Sequence, residues 1–93
     1  MRNDRFEWDD DKAVSNERKH GVTFDEASEV FDDPLQLIEC DDDSNEERWR
    51  HIGICSNGIL FVVATERGQR TRIIMARRVN RHEQDRYRRQ ALP

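Results

Sequence analysis

Two apolar runs, ILFVVA at 59–64 and RIIMA at 72–76, lie close together in the later half of the chain. Neither alternates with polar residues, so each needs cover on both faces, and strands of that kind belong in the middle of a sheet. This is the strongest constraint the sequence carries, because only layers packed on either side can meet it. Leu, Ile, Val and Phe total 20 of 93 residues, little above the ~20% level below which highly charged chains stay unfolded. The apolar content therefore suffices for one thin core if such strands concentrate it. A chain of this length is expected to form a single domain, residues 1–93.

The segments around those runs complete an α+β order, β-α-α-β-β-β-β-α. Arg5–Asp9 alternates polar and aromatic residues, as a short first strand does. A surface helix is expected over 10–19, since Ala13 and Val14 are its only apolar residues; Gly21 suits a left-handed C-cap. Thr23-Phe24-Asp25-Glu26 reads as a capping box. It opens a helix with Phe24, Ala27, Val30 and Phe31 on one face, stopped by Pro34. Leu35–Glu39 is a candidate strand, and the charged run ECDDDSNEE after it reads as a loop. Arg48–Cys55 and Ile59–Thr65 flank Asn57-Gly58, a hairpin signal because both residues tolerate positive φ. After a turn at Glu66–Gln69, Thr71–Arg77 is the next strand. Asn80-Arg81-His82-Glu83 forms a second capping box, opening a helix to about Gln90. The expected architecture is helices against an antiparallel sheet of about four strands plus the short N-terminal one.

Charge is segregated along the chain. Residues 1–47 hold 17 acids and 5 bases, whereas residues 48–93 hold 3 acids and 11 bases. The overall net charge of −4 hides this polarity. Basic residues are 14 Arg against 2 Lys, and arginine's planar fork matches phosphate bidentately where lysine's ammonium does not. Six of those arginines fall in TERGQRTRIIMARRVNRHE at 65–83. A GC-rich genome accounts for the Arg:Lys ratio but not for the segregation. The pattern points to an anion, and phosphate is the natural one.

Other classes are excluded. No apolar stretch approaches the ~18 residues of a membrane span, and MRNDRFEWDD has no signal-peptide core. Cys40 and Cys55 lack metal-ligand spacing and fit thiols of a reducing cytoplasm. The acidic runs Asp9–Asp11 and Asp41–Glu47 lack the alternating ligands and central glycine of a calcium loop. Nothing in the spacing calls for a metal or another cofactor.

Four landmarks together, FEWD at 6–9, KHGVTF at 19–24, TERG at 65–68 and RIIMAR at 72–77, resemble the BrnT toxins of bacterial type II toxin–antitoxin pairs. The likeness runs from about Phe6 to Tyr87. It implies a compact RelE-like fold, ribonuclease activity that inhibits translation, and a BrnA-like antitoxin with a ribbon–helix–helix region. It further implies a two-plus-two assembly that meets operator DNA through the antitoxin. The sequence departs from the family pattern at Ala64, where tyrosine is frequent, at Met75, where serine is frequent, and at Val79-Asn80. Ala76, Arg77, Glu83 and Tyr87 fit it.

A ribonuclease without a metal must remove a proton from the 2′-hydroxyl, stabilise charge on phosphorus and protonate the leaving oxygen. Arg67 and Arg77 are the first candidates for charge stabilisation. They flank one strand, roughly 30 Å apart when extended, so a second grouping of Arg77, Arg78 and Arg81 at the anion-favouring start of the last helix stands beside the first. His20 is the candidate for proton transfer, with His82 as runner-up and His51 weaker. Tyr87 is either a half-buried packing residue or a proton donor or base-stacking residue, and Lys19, Arg72, Arg78 and Arg81 are candidate RNA contacts. Trp8 and Trp49 either pack the core or offer an apolar surface to the antitoxin. The whole reading requires the guanidinium groups of the later half to converge, on folding, into a single anion-gripping cleft.

Overall fold

The computed structural model describes residues 1–41 and 47–91. The expected acidic loop falls largely at 42–46, outside the described residues. Five strands form one sheet in the order β1-β5-β4-β3-β2, with β1 Phe6–Glu7, β2 Leu37–Asp41, β3 Arg48–Cys55, β4 Gly58–Arg67 and β5 Arg70–Arg78. The helices are α1 Asp10–His20, α2 Phe24–Glu29, which tightens into a 3₁₀ turn at Val30–Asp32, and α3 Arg81–Ala91. The element order matches expectation. β2 lies two residues later than the sequence suggested, because Asp33 and Leu35 close a turn first (Leu35 N–H to Asp33 Oδ1, 2.8 Å).

The expected four antiparallel strands, β2 to β5, form with the short N-terminal strand beside them. Because β1 runs parallel to β5 (Phe6 opposite Thr71, Glu7 opposite Arg72), the five-stranded sheet is mixed. Strand direction was not legible because α1 and α2 carry the chain away before β2 begins. At the Asn57-Gly58 turn only Gly58 has positive φ, 118°. Asn57 is instead held by long-range contacts, its amide donating to Glu26 Oε2 at 2.8 Å and its carbonyl accepting from Arg78 at 2.8 Å.

Both capping boxes form. Thr23 Oγ1 accepts from the Glu26 amide at 3.0 Å while Glu26 accepts from the Thr23 amide at 2.9 Å. Asn80 and Glu83 repeat the exchange at 2.8 and 2.9 Å. Gly21 takes the left-handed C-cap, with φ 70°.

Side chains alternate across the sheet, and the register assigns them to two faces. One face carries Leu60, Val62, Ile73 and Ala76, packed against Val22, Phe24, Ala27 and Val30 of the α1–α2 layer and against Phe6 and Trp8. The other carries Phe61, Val63 and Ile52, over which Tyr87 of α3 packs. Phe61 faces Arg77, Val63 faces both Arg50 and Met75, Thr65 faces Arg72, and Arg67 faces Arg70. A β-bulge at Val63/Ala64 inserts one residue near Ile74 and preserves that alternation on either side.

The sheet's ladder is incomplete at two places, and buried polar side chains fill both. β1 pairs only with Thr71 and Arg72, so Ala76 has no strand beside it on that side. Asn16, 8% exposed, stands in: its amide donates to the Ala76 carbonyl at 2.8 Å and accepts from the Ala76 N–H at 3.1 Å. Toward the opposite edge β2 starts opposite Ile52, leaving Ile54 without a strand neighbour on that side. There Asp33, 6% exposed, accepts the Ile54 N–H at 2.8 Å.

Candidate functional site

The arginines of the later half gather mainly on one face. Cross-strand register places Arg50, Arg67, Arg70, Arg72 and Arg77 on the face that α3 covers only in part. Arg48, two residues before Arg50 on the same strand, shares that face. α3 sits over the Phe61 end, and the β4–β5 turn end is basic. The register gives these arginines a common face but does not by itself bring them into a single cleft.

Several of these charges are already engaged. Arg77 forms a bidentate pair with Glu83 (Nη1–Oε1 and Nη2–Oε2, both 2.9 Å) and lies 4.0 Å above the Phe61 ring. Burial tends to raise the Glu83 pKa, but the Arg77 hydrogen bond and the Asn80 amide more than offset it, and the net direction is down. Arg77 is thus paired locally and ties α3 to the sheet. Arg72 pairs with Glu7 at 2.8 Å but keeps a quarter of its side chain open. Arg70 donates from Nε to the Asn3 carbonyl at 2.7 Å. Arg67 is exposed at the end of β4.

Arg78 does not join them. Arg78 is opposite Leu60 on the other face and donates to the Asn57 carbonyl at 2.8 Å. Strand alternation forces it there, since neighbouring Arg77 and Arg78 must point oppositely. Arg81 opens α3 and is exposed. Arg77 and Arg78 therefore do not grip one phosphate together.

Tyr87 takes the packing alternative. It is 7% exposed, and its hydroxyl donates to Asp33 Oδ2 at 2.6 Å. Burial and the Asp33 carboxylate push its pKa up to about 12. A phenol so enclosed neither stacks on a base nor yields its proton near neutrality. Trp8 is 8% exposed and meets Phe24 edge-on with ring centroids 5.7 Å apart, so core packing rather than partner contact is its role. Trp49 differs. It is half-buried and lines a pocket of about 290 Å³ with Phe31, Ile38, His51 and Ala64. Burial alone lowers the His51 pKa to about 4, which keeps the ring neutral. His82 is exposed on α3.

His20 and Lys19 do meet. With Lys12, Ser15 and Asn16 of α1 and Ile74 and Met75 of β5, they line a cleft of about 190 Å³ along the uncovered edge of β5. Met75 is its shared wall: the register places it on the arginine face, two residues from Arg77. The cleft therefore joins an imidazole and two ammonium groups to the border of the arginine face. Sequence reading missed Lys12 and Asn16, though α1 periodicity offered a signal, since 12, 16, 19 and 20 fall on one helical stripe.

The family described as "Ribonuclease toxin, BrnT, of type II toxin-antitoxin system" matches residues 8–83. The chain belongs to the BrnT family. Comparison with curated proteins returned no match. Membership makes the chain a BrnT ribonuclease toxin whose system includes a cognate antitoxin. Within this BrnT chain the matched segment includes α1, the whole sheet from β2 to β5 and the start of α3, and hence both the cleft and the arginine face. No helix among the described residues is long and apolar enough to cross a membrane.

Proposed function

We propose that this chain is an endoribonuclease that cuts RNA without a metal ion, inhibits translation in the cytoplasm and is neutralised by a BrnA-like antitoxin. The single observation carrying the reading is the cleft that sets His20 and Lys19 against β5 at the margin of the arginine face. His20 takes the 2′-hydroxyl proton, the 2′-oxygen attacks phosphorus, and the bond to the 5′-oxygen breaks, that oxygen taking a proton from water. Lys19 and Lys12 offset the charge gathering on the phosphoryl oxygens. Arg67, Arg70 and Arg72 hold the flanking backbone, where arginine's fork suits phosphate. Met75 gives the cleft an apolar wall in place of a hydroxyl.

The antitoxin carries a ribbon–helix–helix region, forms a two-plus-two complex with this chain, and is the only route to operator DNA. Trp49 offers it the half-buried aromatic surface that Trp8 does not. Purified protein should cleave RNA in excess EDTA, with His20→Ala reducing the rate about 10²-fold or more and Arg72→Ala raising KM. No cleavage of any RNA by the folded protein would overturn the assignment of activity.

A second reading has a specific observation in its favour. Arg72 and Arg77 are both ion-paired, as suits a chain that binds phosphate without turning it over. As a weak or inactive module regulating its operon with the antitoxin, it would bind RNA steeply dependent on salt and leave it intact.

A further inference from the structure

We infer that Asn16 is a positioning residue for the cleavage site, setting the distance and angle of His20 and Lys19 relative to β5. This rests on the reading of His20 as the base.

Asn16 is the one buried residue of α1. Val14 on the same helix is 57% exposed and Ala13 only partly buried. Apolar packing therefore contributes little to where α1 sits, and such packing lets a helix slide. A primary amide bonded to both the N–H and the C=O of one residue does not slide, because a shift along the strand breaks both bonds. Asn16 makes that pair with Ala76 at 3.1 and 2.8 Å. Its amide also donates to the Val22 carbonyl at 3.0 Å, two residues beyond His20. His20 is thus held from both sides: Asn16 stands one turn before it on the same helical stripe, and the chain leaving it is pinned at Val22.

Only a side chain with a donor and an acceptor in the plane of a peptide can fill this place, which restricts it to Asn or Gln. Gln is one methylene too long to reach without moving the helix. The amide is fully committed to backbone, so Asn16 acts through His20 and not on RNA.

The test compares Asn16→Ala, His20→Ala and the double variant, each checked for folding. Asn16→Ala should lower kcat at least about tenfold, as a small misplacement of a reacting group does, with KM little changed. The double variant should be no slower than His20→Ala alone, since two residues acting through one contact are not additive. The Ala76 amide should lose hydrogen-exchange protection and the His20 ring resonances should shift. Multiplying losses, or unchanged kcat, Ala76 protection and His20 signals, would overturn the inference. If the alanine variant does not fold, Asn16→Gln carries the same comparison with both hydrogen-bonding functions kept. Full activity in His20→Ala would instead sink the base assignment, and a shifted ring signal in Asn16→Ala would still report that Asn16 sets the helix.

Discussion

At the β5 edge the missing strand leaves Ala76 with both its N–H and its C=O unsatisfied, and an asparagine supplies an acceptor and a donor. At the β3 edge the groups to be met are all donors: the amides of Ile54 and Leu35 and the hydroxyl of Tyr87. A carboxylate, which only accepts, stands there as Asp33. The two side chains differ only in carrying an amide nitrogen or a second oxygen, and the difference follows what the incomplete ladder presents. It also separates the two edges in their response to acid, because Asn16 does not titrate and Asp33 does. Burial tends to raise the Asp33 pKa, but its three donors outweigh that, and the net direction is down.

The largest effect should come from Asn16→Leu, which matches the side chain in size but leaves three buried backbone groups without partners. At ~1–3 kcal/mol for each unsatisfied group, a loss of about 3–5 kcal/mol is expected by urea unfolding. A loss below about 1 kcal/mol would show that water replaces the amide and that the edge is open.

Next is an acid response that must be separated before Asp33 can be judged. His51, bonded to Gln36 beside the Asp33 turn, stays neutral when folded and has its pKa lowered to about 4 by burial. The unfolded chain takes up a proton near pH ~6.5 that the folded chain refuses until about pH 4. Stability is therefore lost as pH falls through that window. His51→Gln should flatten the slope, as read by urea midpoints from pH 7 to 4.

In that background Asp33→Asn should cost about 2 kcal/mol at pH 7, because its amide turns donors toward a donor. Since the folded Asp33 pKa is depressed, its contribution is full above the usual carboxylate range and fades as pH falls through the folded value. The gap between chains with and without the Asp33→Asn change should close in strong acid, and a constant gap would assign the effect to shape instead of charge. Smallest is Tyr87→Phe, which removes one of three donors to Asp33 and should cost about 1 kcal/mol. An effect confined to chains that keep Asp33 would confirm the coupling.

The parts of this fold that sequence made legible are those whose partners lie within a few residues. Both capping boxes, the Gly21 C-cap and the β3–β4 hairpin were readable because a side chain and its backbone target sit three residues apart or across one turn. The arginine face was half legible. Alternation separates Arg77 from Arg78 in any strand, yet the grouping with Arg78 and Arg81 ignored it. Tyr87 failed as a site residue because its partner, Asp33, is 54 positions away. For Trp8 the sequence offered core packing as one of two alternatives, but not the α2 ring, Phe24, that it meets.

By itself the sequence determined that the central strands need cover on both faces, where each helix starts and stops, and that positive charge collects late in the chain. Only the tertiary structure decided which arginines remain open, which are closed by Glu7 and Glu83, and that His20 meets β5 at all. The physical reason is distance along the chain: caps and turns are local bonds, whereas Asn16 reaches Ala76 across 60 residues and Arg72 reaches Glu7 across 65. Contacts of that separation exist only once the sheet has brought its edges into place.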